Sequence, residues 1–215
     1  MALFDLDNTL LGGDSDYLWG EFLVGIGAVA GDAHQRDNAR YLAQYQAGEL
    51  DVREFLLFQL KPLAENDATR LHEWRDRFVD EMIAPIVLDR GRELVEDHRS
   101  RGHCLAIVTS TNAFITRPIA DLLGIEHLLA TEPEFDGRRY TGAFIGEPCA
   151  GPGKVIWVNE WAARNGLSLD GSWFYSDSYH DLPLLSVVEH PVAVDPDDKL
   201  EAHAQRHDWP IVSLR

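Results

Sequence analysis

The chain has 215 residues, a length that suits one compact domain with a sizeable insertion or two small domains. Hydrophobic residues make up 45% and charged residues 26%, which is ordinary globular composition and excludes a disordered or collagen-like chain. Nineteen Lys and Arg stand against 36 Asp and Glu, a formal charge of −17 that repels phosphate backbones and anionic lipid, so neither nucleic acid nor a membrane is an expected partner. A small anionic substrate stays open, because a bound metal or one local cation reverses the sign inside a cleft.

The first element is short: Ala2-Leu3-Phe4 reads as a buried strand that ends at Asp5. From Ser15 to Val87 strand signals are missing. Tyr17, Leu18, Phe22, Leu23 and Ile26 recur at helical spacing. Asp51-Val52-Arg53-Glu54 is a capping box that opens a helix through Phe55, Leu56 and Leu60, which Pro62 is expected to close. Leu71, Trp74, Phe78 and Met82 mark one more helix, ended by Pro85.

From Leu88 the texture alternates. Gly91 to Ser100 is predicted as a helix, Cys104 to Val108 as a buried parallel strand with Cys104 a small core residue, and Phe114 to Leu123 as a helix that Gly124 ends. His127 to Ala130 is the next strand, Asp136-Gly137 a hairpin turn with Tyr140 and Phe144 in its arms, and Val155 to Arg164 a helix. Trp173 to Tyr175, Val192 to Val194 and Ile211-Val212 complete the strands. The pattern predicts a Rossmann-like, doubly wound parallel α/β core over residues 1–14 and 88–215, with an all-helical cap at 15–87 inserted after the first strand. Cys104 and Cys149 form no disulfide framework, no apolar run reaches membrane-span length, and the start of the chain lacks a basic leader segment. Together these make a cytoplasmic protein the expectation.

Ligands of such sheets bind beyond the carboxyl ends of the strands. Asp5-Leu6-Asp7-Asn8-Thr9 follows the first strand, Thr109-Ser110-Thr111-Asn112 the second, and Ser176-Asp177-Ser178-Tyr179-His180-Asp181 a later one, while Lys154 opens a helix after Gly151-Pro152-Gly153. Crowded carboxylates need a hard cation, and Mg²⁺ takes a few carboxylate oxygens together with substrate phosphate and water. A carboxylate can attack phosphorus, a second acid can protonate the leaving oxygen, and a lysine and hydroxyls can offset phosphoryl charge. Gly151-Pro152-Gly153-Lys154 is not a phosphate-binding P-loop, since Pro148 occupies the position of the first glycine and Val155 that of the Ser/Thr. His203 and His207, four apart, lack a third metal ligand and read as one face of a surface helix.

Asp5-x-Asp7-x-Thr9, Thr109, Lys154 and Asp177-x-x-x-Asp181 resemble, in order, the four motifs of the haloacid dehalogenase superfamily, and the helical insertion is similar to that of its phosphoserine phosphatase-like branch, which includes some histidinol-phosphate phosphatases. The resemblance implies an Asp5 nucleophile, an Asp7 general acid/base, and Thr109, Ser110 and Lys154 at the phosphoryl group. It also implies Mg²⁺ on the Asp5 carboxylate, the Asp7 backbone carbonyl and Asp177, with Asp181 in support. The position that binds substrate ammonium in phosphoserine phosphatases corresponds to Asp14, with Asp16 close by, and the one that binds substrate carboxylate corresponds to Gln59, counted from Gly48, with Arg53 out of register. The implied activity is a Mg²⁺-dependent phosphomonoesterase acting on a small phosphorylated metabolite. An amino-alcohol phosphate such as L-histidinol phosphate is favoured and phosphoserine is the alternative. A phosphotransferase or phosphomutase and a non-hydrolytic phospho-signalling module are further readings.

Overall fold

The structure is a computed structural model describing residues 1–215. Six parallel strands form one sheet in the order β3-β2-β1-β6-β7-β8: β1 Ala2–Phe4, β2 Leu105–Val108, β3 His127–Leu129, β6 Trp173–Ser176, β7 His190–Val194 and β8 Ile211–Val212. A separate antiparallel hairpin pairs β4 Glu132–Phe135 with β5 Tyr140–Ile145. β1 lies between β2 and β6, so the strand order reverses at the centre of the sheet, the position at which open α/β sheets bind ligands.

The two-residue period of the strands divides the core. Ala2, Phe4, Ile107, Tyr175 and Val194 face one apolar cluster, and Leu3, Ala106, Val108, Phe174 and Ala193 face the other. Helices cover both faces, as continuous apolar strands require: α7 Pro152–Arg164 and α8 Leu182–Leu185 contribute Val158, Trp161 and Leu184 to the second cluster, while α6 Ala113–Leu122 contributes Phe114, Ile115 and Ile119 to the first. α5 Asp89–Ser100 and α9 Asp198–Arg206 complete the layers.

Between β1 and α5 the chain forms four α-helices, α1 Ser15–Gly25, α2 Gly31–Ala47, α3 Val52–Glu65 and α4 Ala68–Phe78. It leaves and returns side by side, with an antiparallel bridge between Leu11 and Val87 flanked by the bonds Gly12 N–H to Ile86 C=O and Leu88 N–H to Leu10 C=O. The helices share the first apolar cluster with the sheet: Trp19 packs on Phe22, Phe78 and Phe114 with ring centroids 5.2–6.0 Å apart.

Three local expectations are corrected. Pro62 does not close α3, which runs on to Glu65, because burial of Leu60, Pro62 and Leu63 outweighs the one helical hydrogen bond that the proline ring removes. The helix carrying Trp74 and Phe78 does not continue regularly through Met82. It widens into a π-helical turn over Val79–Ile83 and tightens into a 3₁₀ turn at Ala84–Ile86, where Pro85 is accommodated. Cys104 precedes β2 and is half-buried against the second cluster rather than inside it.

α7 must approach the loop before it very closely. A Cβ on Gly153 would stand 2.0 Å from the carbonyl oxygen of Pro148, so only glycine fits immediately before Lys154. Gly153→Ala is expected to destabilise the fold by about 3 kcal/mol, read as a lowered urea midpoint with an unchanged denaturant slope.

Candidate active site

Three strand ends and one helix start build the site. Asp5 follows β1, Thr109 follows β2, Asp177 follows β6, and Lys154 lies in the first turn of α7. Asn8, with φ of 56°, turns the chain sharply after β1 and donates its N–H to Gly13 C=O, bringing Asp7 and Thr9 back toward the strand ends. Asp5, Lys154 and Asp181 are all buried.

Lys154 Nζ donates to Asp5 Oδ1 at 2.8 Å and to Asp181 Oδ2 at 2.7 Å. The Ser176 hydroxyl donates to Asp181 Oδ2 at 2.8 Å. Burial alone would lower Lys154, but Asp181 and Asp5 overcome it and hold the ammonium above its ordinary value. On the other side of Asp5, the Thr9 hydroxyl lies 3.4 Å from Asp5 Oδ2 and 3.3 Å from Asp177 Oδ1, and accepts the Asp177 N–H at 3.1 Å. One hydroxyl hydrogen cannot satisfy both carboxylates.

The electrostatics are unbalanced. Burial raises Asp5 to about 7 against the pull of Lys154. Burial, with the charge of Asp14, raises Asp7 to about 6. Asp177 is pushed well up by burial and by Asp5 and Asp181. Asp7 Oδ1 accepts Ser15 N–H at 2.6 Å and Asp7 Oδ2 accepts the Thr111 hydroxyl at 2.8 Å. No three His, Cys, Asp or Glu side chains surround one point as an all-side-chain metal cage would demand. The carboxylate-rich set with one lysine is nevertheless short of positive charge on the Asp5–Asp177 side.

A cavity of about 250 Å³ opens above Asp5 between the sheet and the inserted helices. Asp7, Thr109, Ser110 and Asp177 line it at the bottom; Tyr17, Tyr41, Tyr45 and Phe55 supply aromatic walls; no lysine or arginine lines it. Asp14 lines it too, and at the same time caps α1 by accepting Tyr17 N–H on Oδ1 at 2.8 Å. Gln59 does not reach the cavity. It is buried and donates to Asp16 C=O at 3.4 Å. Arg53 points elsewhere, pairing with Glu147 at 2.6 Å. His203 and His207 stack on each other with ring centroids 4.3 Å apart, and neither lines the cavity.

Two contributors escaped the sequence reading. Tyr45 on α2 donates to the Ser178 hydroxyl at 2.9 Å, stacks on His180 at 4.5 Å, and accepts the His180 Nε2–H on its carbonyl at 2.8 Å. Thr111 bridges Asp7 and Asp16. Long-range pairing across 133 residues, as for Tyr45 and Ser178, leaves no periodic trace in a sequence. Thr111 was legible only as one more hydroxyl after β2.

The sequence pattern of the haloacid dehalogenase-like hydrolases matches residues 2–186. The chain is 40% identical to a histidinol-phosphatase of Neisseria meningitidis serogroup C over all of this chain and 99% of that one. It is 31% identical to a phosphoserine phosphatase of Mycobacterium tuberculosis, covering 100% of this chain and 70% of the other. Among solved structures, a protein of unknown function from Bordetella pertussis Tohama I superposes with a TM-score of 0.94 at 40% identity, over 100% and 98% of the two chains. A phosphoserine phosphatase carrying a phospho-aspartyl intermediate analogue superposes with a TM-score of 0.72 at 16% identity, over 100% and 92%, a likeness of fold.

The charge imbalance has a measurable consequence. Because Asp5 and Asp7 bind their protons more tightly folded than unfolded, their contribution to metal-free stability is greatest below the ordinary carboxyl range and falls as pH rises through about 6 and 7. With EDTA present, the melting temperature is expected to fall between pH 5 and pH 8, and to fall less in Asp177→Asn, which removes one of the repelling charges. Asp181→Ala, which strips Lys154 of a buried partner, is expected to cost about 3 kcal/mol in urea unfolding.

Proposed function

The chain belongs to the haloacid dehalogenase-like hydrolase family and is a phosphatase, and we propose that its substrate is the phosphate ester of a small cationic amino alcohol, L-histidinol phosphate being the compound that fits best. The observation that carries this reading is a cavity walled by aromatic rings and carboxylates, with no lysine or arginine to receive a substrate carboxylate. Burying an unpaired substrate carboxylate there is costly, whereas an ammonium or imidazolium meets Asp14 and the tyrosine rings. The 40% identical relative named histidinol-phosphatase supports the same choice.

In this reading residues 15–87 form the cap over an α/β core of residues 1–14 and 88–215. Asp5 attacks phosphorus as the ester P–O bond breaks, and Asp7 gives its proton to the departing alcohol oxygen. Asp7 then takes a proton from the attacking water as the Asp5–phosphorus bond is hydrolysed, restoring both carboxyls. Its pKa near 6 suits a group that must both give and take a proton at neutral pH. Thr109, Ser110 and Lys154 hold the phosphoryl oxygens, and Asp181 fixes Lys154.

The crowd of carboxylates with raised pKa values fits a divalent cation, and Mg²⁺ would be held by Asp5, the Asp7 carbonyl and Asp177. When bound it would supply charge neutralisation between the nucleophile and the phosphoryl oxygens.

Inorganic phosphate release across a panel containing histidinol phosphate, phosphoserine, sugar phosphates and nucleotides tests the reading, with EDTA and Asp5→Asn controls. Histidinol phosphate is expected to exceed phosphoserine in kcat/KM at least about tenfold, or about 1.4 kcal/mol, with no turnover in EDTA or in Asp5→Asn. Phosphoserine as the best substrate would overturn the choice of substrate, and full activity in Asp5→Asn would overturn the nucleophile. Asp14→Asn is expected to raise KM for histidinol phosphate by about tenfold with a smaller effect on kcat.

A further inference from the structure

Thr111 occupies an unusual position between two carboxyl groups. Its hydroxyl oxygen is 2.8 Å from Asp7 Oδ2 and 3.1 Å from Asp16 Oδ2. A hydroxyl carries one hydrogen, so it donates to one of these oxygens and accepts from the other. The shorter contact is the donation from Thr111 to Asp7 Oδ2, while Asp7 Oδ1 takes the Ser15 N–H at 2.6 Å. Asp16 is the natural donor. It is 6% exposed, its Oδ1 is buried with no hydrogen-bond partner, and the charged groups facing it, Asp14 and Asp7, are both acids. A buried carboxylate with one unpartnered oxygen and no cation is expensive, whereas a buried carboxylic acid that donates one hydrogen bond is not. Burial, together with Asp14 and Asp7, accordingly raises Asp16 well above the ordinary carboxyl range.

We infer that Asp16 and Thr111 are positioning residues for Asp7, forming a buried chain in which the Asp16 carboxyl donates to the Thr111 hydroxyl and that hydroxyl donates to Asp7 Oδ2. With Ser15 N–H on the other oxygen, the chain fixes the Asp7 carboxyl in a single rotamer. It also ties the loop after β2, where Thr111 lies, to the first turn of α1, where Asp16 lies. The Asp7 carboxyl is therefore oriented by the inserted helices as well as by the sheet. The inference rests on the reading of Asp7 as the general acid/base.

The role of Asp16 as a hydrogen-bond donor rather than an anion separates this account from a substrate-binding one. A carboxamide at position 16 presents an N–H to Thr111 as a carboxylic acid does, and a leucine does not. Steady-state kinetics with histidinol phosphate are expected to show kcat reduced about 30-fold in Thr111→Val and Asp16→Leu, with KM within about twofold. Thr111→Ser and Asp16→Asn are expected to recover most of that loss. Should Asp16→Leu fail to melt cooperatively, the Thr111→Val/Thr111→Ser pair and Asp16→Asn carry the test. A raised KM with unchanged kcat in Thr111→Val would overturn the inference, and so would Asp16→Asn losing 30-fold or more. Wild-type kinetics in Thr111→Val would also sink it. Asp7→Asn, measured alongside, distinguishes the failures: an active Asp7→Asn overturns the reading of Asp7 itself.

Discussion

A single buried ammonium holds the site together. Lys154 is enclosed between Asp5 and Asp181, and the position of its helix is set by a glycine that alone can pass the carbonyl of Pro148. Burial, together with the neighbouring carboxylates gathered at the ends of β1 and β6, raises Asp5, Asp7 and Asp177, and the one positive charge of Lys154 does not offset it. In the proposed reading, a fold that retains such repulsion at the centre of its sheet gives up stability for a place where a cation and a phosphoryl group are both favoured. The two requirements meet at Asp5: Lys154 occupies one of its oxygens, and the other faces Thr9 and Asp177.

The helices inserted between β1 and α5 complete this centre instead of merely covering it. Trp19 and Phe78 share a core with Phe114 beside the sheet, so the insertion is anchored by aromatic packing close to the site. Its polar contributions reach the loops at the strand ends from two directions. Ser15 and Asp16 engage Asp7 and Thr111 from α1, and Tyr45 engages Ser178 and His180 from α2. The proposed specificity rests on the same geometry, because the cavity walls come from α1, α2 and α3 and present rings and acids but no guanidinium or ammonium.

Much of this was legible in the chain. Strand runs such as Leu105 to Val108 and the motif acids that follow the strands are local signals, and the structure gathers Asp5, Asp7, Thr109, Lys154, Asp177 and Asp181 at one rim. Pro62 misled because a local rule about proline was weighed without the burial of Leu60 and Leu63 that tertiary packing supplies. Gln59 was placed by counting from one glycine, and the structure turns it away from the cavity into a backbone contact. Thr111 and Tyr45 acquire meaning only from partners 104 and 133 residues away, separations that no periodicity encodes.

The most direct test of the account is chemical trapping of the nucleophile. The enzyme would be quenched during turnover of histidinol phosphate with Mg²⁺ and reduced with borohydride, which converts an aspartyl-phosphate to homoserine, and the peptides read by mass spectrometry. The account predicts homoserine at residue 5 and at no other aspartate, with none formed in EDTA. Reduction at another residue, or sustained phosphate release with Asp5 never modified, would contradict it.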